Sequence, residues 1–154
     1  MTIYKTRRAI LAFVLLGGAL TSNAALANEA VNAYQMAVLS DTRDGRAILK
    51  GRYDVVIAKL RGKSKNRVET MTNLCVAYTL NQQYTDAAPY CEQAVEISSS
   101  SDSTKLAMAL TNRGVLSAIT GNLTNAVKDF ERASSLDAGI DVPAENLSRL
   151  SNEL

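Results

Sequence analysis

One pattern occurs twice in this sequence, and it dictates helices in pairs. Met71, Leu74, Cys75 and Tyr78 stand at intervals of three and four, a single stripe of an α-helix. Asn81-Gln82-Gln83 interrupts the stripe, and Tyr84, Ala87, Cys91, Ala94 and Val95 form a second one. The arrangement returns at an offset of 39, with Gln82 aligned on Gly121. Leu110, Arg113, Gly114 and Ser117 repeat the first stripe, Thr120-Gly121-Asn122 the interruption, and Leu123, Ala126, Phe130, Ala133 and Leu136 the second. Between the copies runs Ser98-Ser99-Ser100-Ser101-Asp102-Ser103, a polar stretch where extra length costs little. A helical hairpin cannot bury its apolar face alone, so two in succession predict stacking. The expected fold is all-α, a short α-solenoid with hairpins at 70–101 and 107–138.

The pattern resembles the tetratricopeptide repeat, in which a large residue is followed by Leu-Gly, Tyr, a turn, Ala and an aromatic. Met71, Leu74, Cys75, Tyr78, Ala87 and Cys91 match most of it, and Leu110, Gly114, Ala126 and Phe130 match again. Asn112-Arg113-Gly114-Val115 and the run from Asn125 to Ala133 are similar to members of that family. Cys75 stands for a glycine, Arg113 for a leucine and Ser117 for a tyrosine. The small residues Ala87, Ala94, Gly114, Ala126 and Ala133 let helices approach within about 8–10 Å. The alternative is a generic helical bundle using the same stripes; the match at many paired positions favours the repeat.

A degenerate first copy precedes these, within an N-terminal region at 28–69. Gly51-Arg52-Tyr53, Val56, Ile57 and Leu60 imitate Gln82-Gln83-Tyr84, Ala87, Ala88 and Cys91 at an offset of 31. The stretch Ser40–Gly45 is polar and turn-like, while Val31, Tyr34 and Val38 suit either a short helix or an extended arm. At the other end, residues 139–154 read as a capping helix. Asp141-Val142-Pro143 starts it, and Leu147, Leu150 and Leu154 make its apolar stripe. Pro89 is placed in the first turn of its helix, where a missing N–H is harmless.

Residues 1–27 have the parts of a secretory signal. Lys5, Arg7 and Arg8 precede an apolar run from Ala9 to Leu20, and Ala25-Leu26-Ala27 offers small residues for cleavage after Ala27. The run has 12 residues, short of the about 20 that a permanent span needs. The expected address is periplasmic or secreted, with no stable membrane span after cleavage.

Removing the signal changes the charge balance. Residues 1–27 hold three of the 17 Lys and Arg and none of the 15 Asp and Glu, so the remaining 127 residues carry 14 and 15, a net of −1. No overall basic character for nucleic acid remains. The segment Arg61-Gly62-Lys63-Ser64-Lys65-Asn66-Arg67 reads as a solvated loop between helices, with a site for an anionic partner as the alternative. The absence of histidine from the sequence removes the commonest general base and any Ser–His or Cys–His pair. No Cys-x-x-Cys metal spacing occurs, and no cofactor is expected. Glu92 and Glu96 are four apart on a helix surface, an ordinary solvated pair. Catalysis is not expected.

Cys75 and Cys91 lie eight residues either side of position 83, facing each other across an antiparallel hairpin. This spacing is compatible with a disulfide or with two buried thiols. The resemblance implies a concave groove lined by the first helices of the hairpins. Its candidates here are Thr72, Asn73, Val76, Leu80, Thr111, Asn112, Val115 and Ile119. Asn73 and Asn112 recur at one place in both copies, suited to pairing a peptide backbone or to bracing the helix interface. The expected function is a non-catalytic protein- or peptide-binding scaffold of the bacterial envelope. The alternative is a cysteine-dependent redox or stress protein of the periplasm. In a eukaryotic secreted protein, Asn122-Leu123-Thr124 and Asn146-Leu147-Ser148 would be glycosylation acceptors.

Overall fold

The computed structural model describes residues 33–63, 66–98, 102–137 and 139–153. The export signal and its cleavage position lie outside these, as do Val31, Ala138 and Leu154. The described residues form seven helices and no strand: α1 Arg43–Leu49, α2 Tyr53–Leu60, α3 Val68–Leu80, α4 Tyr84–Ser98, α5 Ser103–Ile119, α6 Leu123–Leu136 and α7 Val142–Glu153. The fold is all-α. Sequential helices pack on one another from α1 to α7, and α3 also meets α5.

Three of the connections share one turn. The chain enters the left-handed region at Gly51, Gln82 and Gly121, with φ of 70°, 60° and 83°. In each, the next amide donates back five residues: Arg52 N to Ala47 O, Gln83 N to Tyr78 O, and Asn122 N to Ser117 O, at 3.0, 2.9 and 2.8 Å. This is the bonding by which a left-handed residue ends a helix and satisfies its last carbonyls. Glycine holds the conformation without strain at two positions; Gln82 holds it with a side chain attached. The starts of α1 and α5 are capped by side chains: Thr42 Oγ1 accepts from Gly45 N at 2.9 Å, and Asp102 Oδ1 from Thr104 N at 3.0 Å.

The centre of the molecule is α3, in which all ten residues from Thr70 to Thr79 are buried. The main apolar cluster runs from Ile48 and Val56 through Met71, Leu74 and Ala94 to Leu106 and Leu110. A second joins Tyr34, Val115, Ala118, Ala126, Phe130 and Leu150. Close approach of α5 and α6 depends on Gly114: a Cβ there would stand 2.7 Å from Phe130 Cε1 and 2.9 Å from Cδ1. Arg113, beside it, makes a forked pair with the buried Asp129, Nε to Oδ2 at 2.8 Å and Nη2 to Oδ1 at 2.6 Å. Those bonds to the carboxylate raise the Arg113 pKa. Cys75 and Cys91 form a disulfide between α3 and α4, with Cα atoms 4.8 Å apart and both residues fully buried.

Two local expectations are corrected. Gly45 is not in a turn but inside α1, where a Cβ would stand 1.8 Å from the carbonyl oxygen of Leu39. Its polar neighbours masked a helix that only a glycine allows to sit so close. Pro89 lies in the second turn of α4, not the first, so it cannot bond the Thr85 carbonyl. Thr85 and Pro89 are both exposed, on the solvent side of the helix.

Candidate functional site

The eight groove candidates lie on α3 and α5, but not on an open surface. Thr72, Asn73, Val76, Thr111, Asn112 and Val115 are buried, and Leu80 and Ile119 are half-buried. The expected accessible groove is therefore corrected: part of this face is occupied by the chain itself. Ahead of α1 the chain forms a strap at 34–39, of which residues 35–39 carry neither helix nor strand.

Two asparagines hold the strap by its main chain. Asn112 Oδ1 accepts from Ala37 N at 2.7 Å, and its Nδ2 donates to Ala37 O at 2.9 Å. Asn146, on α7, does the same to Gln35: Oδ1 accepts from Gln35 N, and Nδ2 donates to Gln35 O, both at 2.8 Å. Alternate residues of an extended chain turn the same way, so amides two apart reach one row of partners. A carboxamide has the donor and acceptor to serve both groups of one residue, with no charge to desolvate. Arg149 Nη1 donates to Ala33 O at 2.8 Å, and Gln35 Nε2 to Glu145 Oε2 at 3.1 Å.

Side chains of the strap add apolar contact. Tyr34 is buried and stacks on Phe130, ring centroids 6.5 Å apart and planes 25° from parallel. Ala37 is buried as well, and Met36 packs partly against both clusters. The strap then turns at Thr42, whose hydroxyl donates to Leu39 O at 2.8 Å, and enters α1.

The recurrent asparagines do not share one role. Asn73, 2% exposed, has a side-chain oxygen with no partner among the described residues. It lines a small cavity of about 220 Å³ with Thr42, Asp44 and Arg67. Among the described residues Thr72 Oγ1 is likewise buried and unpartnered, while the Thr111 hydroxyl donates to Ala107 O at 2.7 Å. Asn146, whose sequence context marks it only as the start of a sequon, is the second clamp. Its side chain is fully buried and bonded, which excludes it as an acceptor in this fold. The available signal was the series Asn73, Asn112, Asn146, at intervals of 39 and 34, with leucine following the first and third.

Cys75 and Cys91 lie away from the strap, in the main cluster. Among the described residues, no group of three or more Cys, Asp or Glu could hold a metal ion. No described helix is long and apolar enough to cross a membrane. No protein-family model matches the chain, and neither does any curated protein.

Proposed function

We propose that this protein is a non-catalytic peptide-binding scaffold of the bacterial cell envelope, built on tetratricopeptide-like hairpins whose concave groove grips an extended backbone. One observation supports it most: Asn112 and Asn146 each bond both main-chain groups of one strap residue, at alternate positions. A face that holds Gln35 and Ala37 by their backbones makes few demands on side-chain identity. The export signal read at 1–27 supports an envelope address, and the partner is a protein segment in that compartment. The alternative, cysteine-dependent redox chemistry, has less in its favour, because both sulfurs belong to fully buried residues and a thiol has no direct access.

The test is to expel the strap and offer peptides. Ala37→Glu places a charge in a buried site and frees the face. Peptides selected from a random library should bind this variant more tightly than the parent chain, and Asn112→Ala in the same background should weaken them. If neither chain retains any peptide, the reading fails.

A further inference from the structure

Charge is divided sharply along the chain after the strap. Residues 41–67 hold nine Lys or Arg against three Asp or Glu, whereas residues 68–154 hold five against eleven. The near-neutral total therefore conceals a basic first hairpin on an acidic body. Within that hairpin, Arg43, Arg46, Lys50, Arg52 and Lys59 line one cavity of about 550 Å³ between α1 and α2. Its one acidic residue, Asp44, is paired with Lys59. All five basic residues are exposed, and Arg61, Lys63 and Arg67 extend the basic surface into the following loop.

Two aliphatic side chains of this hairpin are largely exposed to water. Leu49 is 62% and Val55 60% exposed, the exposed large hydrophobics of the described chain. Leu49 ends α1 next to Lys50, and Val55 is itself part of the cavity wall. Basic side chains around projecting aliphatic ones match a bilayer with anionic headgroups, where charge draws the hairpin in and the aliphatic groups enter the acyl boundary. Nucleic acid would use the charge and leave Leu49 and Val55 in water. A second copy could offer its acidic body, but no large exposed hydrophobic there would meet them.

We infer that the α1–α2 hairpin is a docking surface for an anionic lipid bilayer, which the protein binds peripherally through Lys50, Arg52 and their basic neighbours, with Leu49 and Val55 at the contact. The acidic body then faces away from the membrane. This stands independently of peptide binding, since none of these residues touches the strap's clamps.

The probe is a vesicle of phosphatidylglycerol and phosphatidylcholine, compared with phosphatidylcholine alone, in co-sedimentation with the chain starting at residue 28. That start removes the apolar segment Ala9–Leu20, which could itself carry the chain to lipid. Anionic vesicles should retain the protein and neutral ones should not, and added salt should release it. Lys50→Glu with Arg52→Glu should weaken retention by about tenfold or more. Leu49→Ser with Val55→Ser should weaken it several-fold at unchanged charge. All four positions are exposed, so the melting temperature should hold, confirming that the variants are folded. Absence of retention, equal retention by neutral vesicles, or indifference to the serine changes overturns the proposal. Tighter binding to duplex DNA, or to an acidic protein, than to the anionic vesicles also overturns it.

Discussion

Asn112 and Ala37 are joined by two hydrogen bonds, 2.7 and 2.9 Å long, although 75 residues separate them in sequence. Both are buried, so water cannot replace either bond. Asn112→Ala should therefore destabilise the fold by about 2–4 kcal/mol, the cost of leaving a buried N–H and C=O unpaired. Asn73→Ala loses no bond to the side-chain oxygen and should cost less than about 1 kcal/mol. Urea denaturation of the two variants side by side checks the contrast; equal losses would mean that the strap bonds contribute nothing.

Phe130 is fully buried between the strap and α5, touching Tyr34 on one side and approaching Gly114 on the other. Phe130→Ala should cost about 3–5 kcal/mol. Gly114→Ala should cost about 1–3 kcal/mol, because its new methyl group needs space the ring occupies. The penalty of Gly114→Ala should shrink when Phe130 is already leucine. A double-mutant cycle measures that coupling, and additive losses would show that the ring does not define the spacing of α5 and α6.

The disulfide should stabilise by about 3 kcal/mol, given the 16-residue separation of Cys75 and Cys91. Replacing both by alanine also removes packing at two fully buried positions and should cost at least as much. Reductant added to the folded protein should act only as fast as the protein opens. The check is the rate of thiol appearance across denaturant concentrations: a rate independent of denaturant would mean the bond is reached in the native state.

Gln82 occupies a left-handed conformation that its counterparts Gly51 and Gly121 adopt as glycines. Gln82→Gly should raise stability by about 0.5–1 kcal/mol, since relief of strain exceeds the added freedom of the unfolded chain. Gly121→Gln should lose about as much. Thermal melts of both variants decide it; a loss in both directions would point to a side-chain contact of Gln82 rather than backbone strain.

Much of the architecture was legible because it rests on spacing. The stripes at Met71–Tyr78 and Leu123–Ala133 are local, and residues 3–4 apart share a helix face whatever surrounds them. The pairing of Cys75 with Cys91 followed only as far as facing positions; which state they take depends on a Cα distance that spacing does not give. The occupancy of the site was not legible. Gln35 and Ala37 are held by their main chains, so no side-chain pattern marks them, and their partners lie 111 and 75 residues away. Gly45 failed as a sequence signal for a related reason. Its glycine answers to the backbone of Leu39, a tertiary demand, rather than to a local turn. The charge division was visible throughout, but a balanced total hid it.

The bond between Gln35 and Asn146 spans nearly the whole described chain. Helical arrays whose members touch only their neighbours can fray from an end, one unit at a time. Here residues at the start of the described fold are fastened to the final helix and to α5, which ties its two ends together. The strap bonds thus add to the contacts that α7 already makes with α6 and α5, and both ends should fray less readily than those of an array without such a tie. Synthesis runs in the opposite sense: the strap emerges first, and its last clamp, on α7, emerges last. Until that helix arrives, the residues at the start of the fold have no complete site to occupy, and a chain cut short before Asn146 carries its defect at both ends.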